Sequence, residues 1–147
     1  MSEEQKNDIK LEQSTEALNL RSYKFYQKEV NMAYDTYKRV SQFLFTLREF
    51  EYGDQKLTNV HKVTEEVSES DKYVYIGETS QVHLNEKCGS GIVVFTSGHI
   101  YQGTFKRNSP NGTGRSIDKF LDYHLGNWEN NKKQGYFHVS VEGQKMF

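Results

Sequence analysis

The 147-residue sequence is short of cysteine, proline and long apolar runs. Its single cysteine, Cys88, cannot form a disulfide within the chain, which favours a reducing compartment. No apolar run approaches the roughly 18 residues that a membrane-spanning helix requires. The first residues contain neither an apolar signal core nor an arginine-rich transit sequence. We therefore expect a cytoplasmic protein with no transmembrane segment.

The sequence also lacks an excess of charge and the patterns that indicate catalysis. Its net charge is −1, so a nucleic-acid partner is not indicated. The five histidines show no metal-ligand spacing, and Cys88 has no second cysteine with which to build a zinc site. The glycines at 89–91 and 112–114 lack the Lys-Ser/Thr pair that follows in a phosphate-binding loop. We expect no enzyme activity, no cofactor and no metal.

Glycine and proline are absent from the first 50 residues, where apolar side chains recur at helical spacing. The spacing alternates between three and four residues, which is the a/d pattern of one apolar stripe along a helix. It predicts an amphipathic helix over residues 20–50, about 45 Å long, behind a polar tail at residues 1–19. The interaction face predicted for this helix consists of Tyr23, Tyr26, Val30, Tyr37, Val40, Leu44 and Leu47.

Three environments suit this stripe. The helix can pack on its own domain, dock on another protein, or pair with a second copy in a coiled coil. Two-stranded coiled coils prefer Ile, Val and Leu at these positions, whereas this stripe is rich in tyrosine. The composition therefore favours the first two environments.

A polar and acidic stretch, residues 51–72, separates the predicted helix from the rest of the chain. It ends in the run TEEVSESD at residues 64–71, which predicts a linker. Ser68 and Ser70 lie among carboxylates in this run and are candidates for phosphorylation, the alternative being a solvated acidic loop.

Residues 73–147 are rich in glycine and aromatic side chains and contain an internal repeat. Each unit opens with a YxG-like triplet, namely Tyr75-Ile-Gly77, Tyr101-Gln-Gly103 and His124-Leu-Gly126. Phe105 and Trp128 follow the second and third triplets at the same distance, where the first unit has Thr79. A GxG triplet follows at residues 89–91 and 112–114, and Gly135 stands at the matching place in the third unit. Short β-prone runs between Gly, Asn and Ser turns predict β-hairpins.

This pattern resembles the MORN repeat, in which YxGxW precedes GxG in units of about 23 residues. The resemblance covers residues 73–147 and is clearest between Tyr101 and Tyr123. The third unit departs from it, since His124 replaces the opening Tyr and Phe137 replaces the last Gly. The predicted fold class is mainly β: an elongated sheet of tandem antiparallel hairpins, at residues 73–147, with a long N-terminal α-helix.

Stacked hairpins would place the aromatic side chains of successive units on one face of the sheet. A monomer seldom leaves so long an apolar strip exposed. We therefore predict a protein-binding groove on which the N-terminal helix, or a helix from a partner, packs. Its residues are Tyr75, Tyr101, Phe105, Tyr123 and Trp128.

Two basic pairs, Lys106-Arg107 and Lys132-Lys133, occupy similar loop positions in successive units. They are candidates for contact with anionic lipid or with an acidic protein surface. The alternative is that they are solvated turn residues.

The resemblance implies a non-catalytic scaffold protein, a subunit of a hetero-oligomeric assembly with other proteins. It further implies a place in the cytoskeleton or the ciliary axoneme. One alternative is a peripheral membrane tether that binds phosphoinositides through the basic loops. Another is a module that targets an enzyme on a different chain.

Overall fold

A computed structural model describes residues 8–10, 18, 27–44, 46–48, 50–53, 57–68, 70–83 and 85–140. Most of these residues belong to one antiparallel sheet whose eight strands lie side by side in the order of the chain. One helix, α1, spans Tyr34–Leu44. The strands are β1 (Asp8–Lys10), β2 (Val60–Ser68), β3 (Asp71–Thr79), β4 (Lys87–Phe95), β5 (Ile100–Lys106), β6 (Ser109–Ile117), β7 (Tyr123–Glu129) and β8 (Lys132–Ser140).

The two faces of the sheet carry different side chains because neighbouring residues of a strand point to opposite sides. One face, which we call the aliphatic face, presents mainly valine and isoleucine, such as Val74, Ile92 and Ile117. The other, which we call the aromatic face, presents Val63, Tyr73, Tyr75, Val93, Tyr101, Phe105 and Trp128. Residues 73–77 of β3 are buried on both faces, so the sheet has a core on each side.

Described residues 27–53, which we call the strap, cover the aliphatic face. Val30, Met32 and Val40 of the strap are buried against it. Polar contacts hold the strap at several points along the sheet. Glu29 forms an ion pair with Lys62, the Thr96 hydroxyl donates to the Val30 carbonyl at 2.7 Å, and Arg39 Nη2 donates to the Lys119 carbonyl at 2.8 Å. The strap is therefore an integral layer of the fold.

A buried polar pair lies beneath the strap, at the centre of the aliphatic face. Gln102 and Arg115 are only 1% and 5% exposed. Arg115 Nε donates to Gln102 Oε1 at 2.9 Å, and Arg115 Nη1 donates to the Arg48 carbonyl at 2.8 Å. Gln102 Nε2 donates to the Leu18 carbonyl at 2.9 Å. Because buried polar groups need partners, these bonds define where residues 18 and 48 meet the sheet.

The predicted fold class is wrong in its helical part, since the described residues contain no long N-terminal helix. Helical residues 27–29 end in a Schellman motif: Met32 N donates to the Gln27 carbonyl at 3.0 Å and Asn31 N to the Lys28 carbonyl at 3.4 Å. Asn31 has the left-handed φ of 53° that this motif requires. The chain then begins again as α1 at Tyr34.

Packing on the sheet explains this break. Val30 and Met32 are both buried against the aliphatic face. In a continuous helix, residues two apart lie on nearly opposite sides, so both could not face one sheet. Heptad spacing continues across the break because α1 and residues 27–29 face the same sheet. Tyr23 and Tyr26 of the predicted stripe lie outside the described residues.

The remaining predicted segments also differ from the structure. The predicted linker at 51–72 instead contains β2, in which Val60 and Val63 are buried while residues 65–68 are exposed. Its acidic composition reflects this exposed end of the strand. Within the predicted tail at 1–19, residues 8–10 form β1, which pairs with residues 61–63 of β2, and Leu18 is buried.

Substitution of Asn31 distinguishes a broken helix from a continuous one. Alanine has a higher helix propensity than asparagine. In a continuous helix, Asn31→Ala would therefore raise the free energy of unfolding by up to about 0.7 kcal/mol. At a left-handed C′ position the same change should destabilise the fold by about 1 kcal/mol. Asn31→Gly is the control and should be neutral or stabilising, and urea denaturation measures both variants. A stabilised Asn31→Ala protein would contradict the Schellman break.

Candidate functional site

Five glycines form a row across the middle of the sheet. In each pair of neighbouring strands from β3 to β7, a glycine lies directly opposite the next glycine. The row runs through Gly77, Gly91, Gly103, Gly114 and Gly126. Because none of these residues has a side chain, the row leaves a channel along the aromatic face.

Tyrosine rings fill this channel. The Tyr75 ring lies over Gly77 and Gly91, and a Cβ at Gly91 would lie 2.5 Å from Tyr75 Cε1. The Tyr101 ring lies over Gly103 and Gly114 in the same way. Each phenol donates to the carbonyl three residues on, Tyr75 to Glu78 at 2.7 Å and Tyr101 to Thr104 at 3.0 Å. Burial raises the pKa of both phenols, so they stay protonated as donors.

The third unit fills the same channel from the other strand. His124 stands where the first two units have tyrosine, and the Phe137 ring of β8 covers Gly126, with Phe137 Cδ1 2.8 Å from a Cβ placed there. The two departures from the repeat pattern therefore compensate each other. Phe137 supplies the ring over the glycine that a tyrosine supplies in the first two units. The imidazole of His124 is smaller than a phenol, and large rings from both strands could not share the space over one glycine.

An irregularity of register lies beside the row in every unit. The pairing shifts between Gly77 and Thr79, between Gly103 and Phe105, and between Leu125 and Asn127. Bulges of this kind bend a strand and increase its twist. Their recurrence shows that the three hairpins share one local geometry.

Aromatic rings form a continuous edge-to-face ladder on this face. Centroid distances are 5.2 Å for Tyr75–Phe105, 5.0 Å for Phe105–Tyr101, 5.5 Å for Tyr101–Trp128 and 5.3 Å for Trp128–Phe137. All four pairs are close to perpendicular, the arrangement that aromatic quadrupoles favour. Trp128 Nε1 also donates to the Gly114 carbonyl at 3.0 Å. The ladder is thus packed by its own rings.

The structure separates the predicted groove residues. Tyr75, Tyr101, Phe105 and Trp128 share the aromatic face and are buried, from 0% exposed at Tyr75 to 9% at Trp128. Tyr123 lies on the opposite face and packs in the aliphatic core. Protein binding at these residues stays a prediction, and any partner would meet the outer edges of this ladder and not an open channel.

The predicted helix face is divided in a similar way. Val30 and Val40 are buried in the aliphatic core, and Tyr37, Leu44 and Leu47 pack against it. These five residues therefore contact the sheet of their own chain, on the face opposite the aromatic ladder. The contact between helix and aromatic face that we predicted is replaced by this one, because the ladder already fills its own side.

A three-residue polar chain closes the first end of the aromatic face, and sequence reasoning missed it. Tyr73 donates to the Glu65 carboxylate, and Lys87 Nζ donates to the Tyr73 hydroxyl at 3.2 Å while lying 4.5 Å above its ring centroid. Burial lowers the pKa of Lys87, and the Glu65 charge opposes this. Burial and the hydrogen bond to Glu65 raise the pKa of Tyr73.

The repeat spacing could have marked Lys87 as a residue that lies over an aromatic ring. The residue 46 positions later, two units of 23, is Lys133, whose ammonium lies 5.9 Å from the Phe137 ring centroid. A cation thus lies over an aromatic ring at the same place in the first and third units. Pro110 holds this place in the second unit.

The basic pairs lie at two-residue turns on one edge of the sheet. Both turns have positive φ at their central residues, 50° and 71° at Arg107 and Asn108, and 50° and 68° at Asn130 and Asn131. These angles indicate type I′ turns, whose twist matches that of the flanking strands. Exposed cations lie in or beside both turns: Lys106, Arg107, Lys132 and Lys133.

Each turn is bonded to the hairpin before it. Asn108 N donates to the Lys87 carbonyl and Asn131 N to the Pro110 carbonyl, both at 2.9 Å. Donors and acceptors are each 23 residues apart, so the two bonds are equivalent. The Asn108 side chain also accepts from Lys87 N at 2.7 Å. The turns are therefore held in a fixed line along this edge, which we call the basic edge.

Comparison with known proteins gives a partial likeness. No family model matches the chain. A stretch of 63 residues is 36% identical to part of a Plasmodium falciparum (isolate 3D7) protein named inactive protein tyrosine kinase pTKL. The stretch covers 43% of this chain and 4% of that protein, so the chain spans a small fraction of its relative's length.

None of the helices among the described residues has the length and hydropathy needed to cross a membrane.

The overlap of ring and glycine predicts a strong energetic coupling. Gly114→Ala should destabilise the fold by about 3 kcal/mol, because the new methyl group collides with the Tyr101 ring. In a Tyr101→Leu background, which removes the ring, the same change should cost about 1 kcal/mol or less. Urea denaturation of the four proteins in this double-mutant cycle measures the coupling. Equal costs in both backgrounds would show that the ring does not occupy the glycine row.

The hairpin turn between β4 and β5 predicts a dependence of stability on pH. The His99 ring stacks on Phe95 at 5.5 Å, and its burial lowers the pKa of this imidazole, against the opposing charges of Asp118 and Asp71. The unfolded chain, with a His pKa of about 6.5, then binds more protons than the fold. Stability should therefore fall as pH is lowered from about 7.5 to 5.5.

Two variants assign this effect. His99→Phe keeps the stacked ring and should flatten the slope of unfolding free energy against pH. Some slope should remain, since burial also lowers the pKa of His124. The control His83→Gln removes a histidine from an exposed loop outside this turn, and an equal flattening of the slope in both variants would contradict the assignment to His99. An unaltered slope in His99→Phe would contradict the assignment.

Proposed function

We propose that this chain is a non-catalytic MORN-like repeat module that binds other proteins as a subunit of a larger assembly. The observation that supports this most directly is the recurrence of one hairpin geometry. The glycine row, the rings over it and the turn-to-strand hydrogen bonds repeat from hairpin to hairpin. Stacked repeats of this kind build extended binding surfaces from few residue types.

The environments of the nucleophilic side chains also support a non-catalytic role. Burial and the charges of Glu78 and Glu86 raise the pKa of the Cys88 thiol, which makes it a poorer nucleophile. His61 Nδ1 lies 2.9 Å from the Thr79 hydroxyl. That hydroxyl is buried, and it bonds to the carbonyl and the side chain of Asn59. The His61–Thr79 contact is thus part of a hydrogen-bonded group that joins β2 to β3, which suits a structural role better than a catalytic one.

The similarity to a segment of a much longer protein fits a module that occurs as one part of larger architectures. That protein is named an inactive kinase, which agrees with a role in binding. The same name is compatible with the alternative that this chain targets an enzyme on another chain. A place in the cytoskeleton or ciliary axoneme is part of the proposal and rests on the MORN resemblance alone.

A second candidate function is a peripheral tether to phosphoinositide-containing membranes. The observation that favours it is Val82, which is 83% exposed in the loop joining β3 and β4. This loop lies on the same edge of the sheet as the turns at Arg107–Asn108 and Asn130–Asn131. An exposed apolar side chain beside basic residues suits the membrane interface, although four cations are at the lower limit of a lipid-binding cluster.

Affinity purification of the tagged 147-residue chain from its own cells tests the proposal. The expected result is a complex of defined partners that remains intact through gel filtration. The matched control is Gly114→Val, in which a larger side chain meets the Tyr101 ring and should disrupt the sheet. A chain that elutes alone, or a partner set shared with the control, would refute the scaffold proposal.

Vesicle sedimentation separates the two candidates. A tether should sediment with vesicles that contain phosphatidylinositol bisphosphate. A variant that combines Val82→Ser with neutral substitutions at Lys106-Arg107 and Lys132-Lys133 should no longer sediment with them. A scaffold should remain in the supernatant.

A further inference from the structure

We propose that the basic edge binds an acidic segment of a partner protein in the extended polyproline II conformation, with carboxylates at about every third residue. The inference rests on the proposed protein-binding function and names the chemistry of one partner. It follows from the rigidity, spacing and linear arrangement of the turns.

Rigidity comes from the backbone. Both turns have two central residues with left-handed φ, and a hydrogen bond of 2.9 Å ties each to the preceding hairpin. The cations therefore project from fixed Cα positions, and a partner does not have to order the backbone that carries them. Less conformational entropy is lost on binding to such a surface.

The spacing of the turns matches an extended chain. The turns at Arg107–Asn108 and Asn130–Asn131 are separated by two strand spacings, about 10 Å. A polyproline II segment rises by about 3.1 Å per residue with three residues per turn, so side chains three apart lie on the same side, about 9 Å apart. Carboxylates at every third position of such a segment would therefore face both turns at once, whereas carboxylates at every second position would point to different sides of the segment.

The charges along this line favour an anionic partner. Lys106, Arg107, Lys132 and Lys133 are exposed, and one exposed carboxylate, Glu129, faces Lys132 across the turn. The loop of the first hairpin carries Glu86, so the positive segment consists of the second and third hairpins. Cations arranged in a narrow line suit a linear anionic segment better than a flat bilayer surface. Bilayer surfaces are bound by clusters of four to eight cations.

Fluorescence anisotropy with the 147-residue chain tests the match. The probes are two labelled Gly/Ser peptides of about twelve residues with equal numbers of glutamates, placed at every third or every second position. We expect the every-third peptide to bind at least about fivefold more tightly at low salt, and its affinity to fall as salt rises. Equal affinities for the two peptides would overturn the proposal.

Two charge-matched variants locate the binding site. The edge variant carries Lys106→Gln, Arg107→Asn, Lys132→Gln and Lys133→Gln. Its substitution at Arg107 places two consecutive asparagines in that turn, as in the native turn at Asn130–Asn131, so the turn geometry should be kept.

The control variant removes four exposed cations elsewhere, through Lys28→Gln, Lys38→Gln, Arg48→Gln and Lys119→Gln. Urea denaturation checks that both variants remain folded. The edge variant should lose about tenfold or more in affinity while the control changes by less than about twofold. Equal losses in the two variants would refute a site on the basic edge.

The same variants separate this inference from its alternatives. Edge-dependent sedimentation with phosphatidylinositol bisphosphate vesicles, without a preference between the peptides, would assign the edge to lipid and overturn the proposal. A cellular complex that persists in the edge variant, together with absent peptide binding, would refute the inference and leave the proposed function standing. Loss of the cellular complex in the edge variant, together with peptide discrimination, supports both.

Discussion

The packing of tyrosine rings onto paired glycines is the contact on which the rest of the structure depends. Two rings, those of Tyr75 and Tyr101, occupy space that any side chain in the glycine row would fill. Their hydroxyls bond to carbonyls three residues further along the same strand. This packing places the rings along the strands and brings Phe105 and Trp128 into edge-to-face contact with them. A row of small residues thus gives a single sheet a second core.

That second core determines which surfaces are left for partners. The aromatic face is filled by its own ladder, and the strap covers the aliphatic face. The proposed binding to partners would therefore use the rims of the sheet, where the turns are. On one rim the type I′ turns hold cations in a line. At β2 and β3, Glu65, Tyr73 and Lys87 close the first end of the ladder with a polar chain.

Local patterns in the sequence were sufficient for part of this architecture. Glycine and tyrosine spacing marked the strands that carry the row, because each contact between ring and glycine joins neighbouring strands of short hairpins. The same spacing marked the two basic turns. It was insufficient for the helix, because heptad spacing records only which side of a segment is apolar. Val30 and Met32 are buried together, and Asn31 breaks the helix to allow it. Asparagine at that position was an available signal, since it is a frequent residue at left-handed helix ends.

By itself, then, the sequence determined the period of the repeat, the positions of its glycines and rings, and the turns, all of which depend on residues close in the chain. Only the tertiary structure decided which face the strap covers, that β2 extends the sheet through an acidic stretch, and that Phe137 and not His124 covers Gly126. It also decided that Tyr123 and Trp128 lie on opposite faces. These outcomes depend on contacts between distant segments competing for the same space, which no local spacing records.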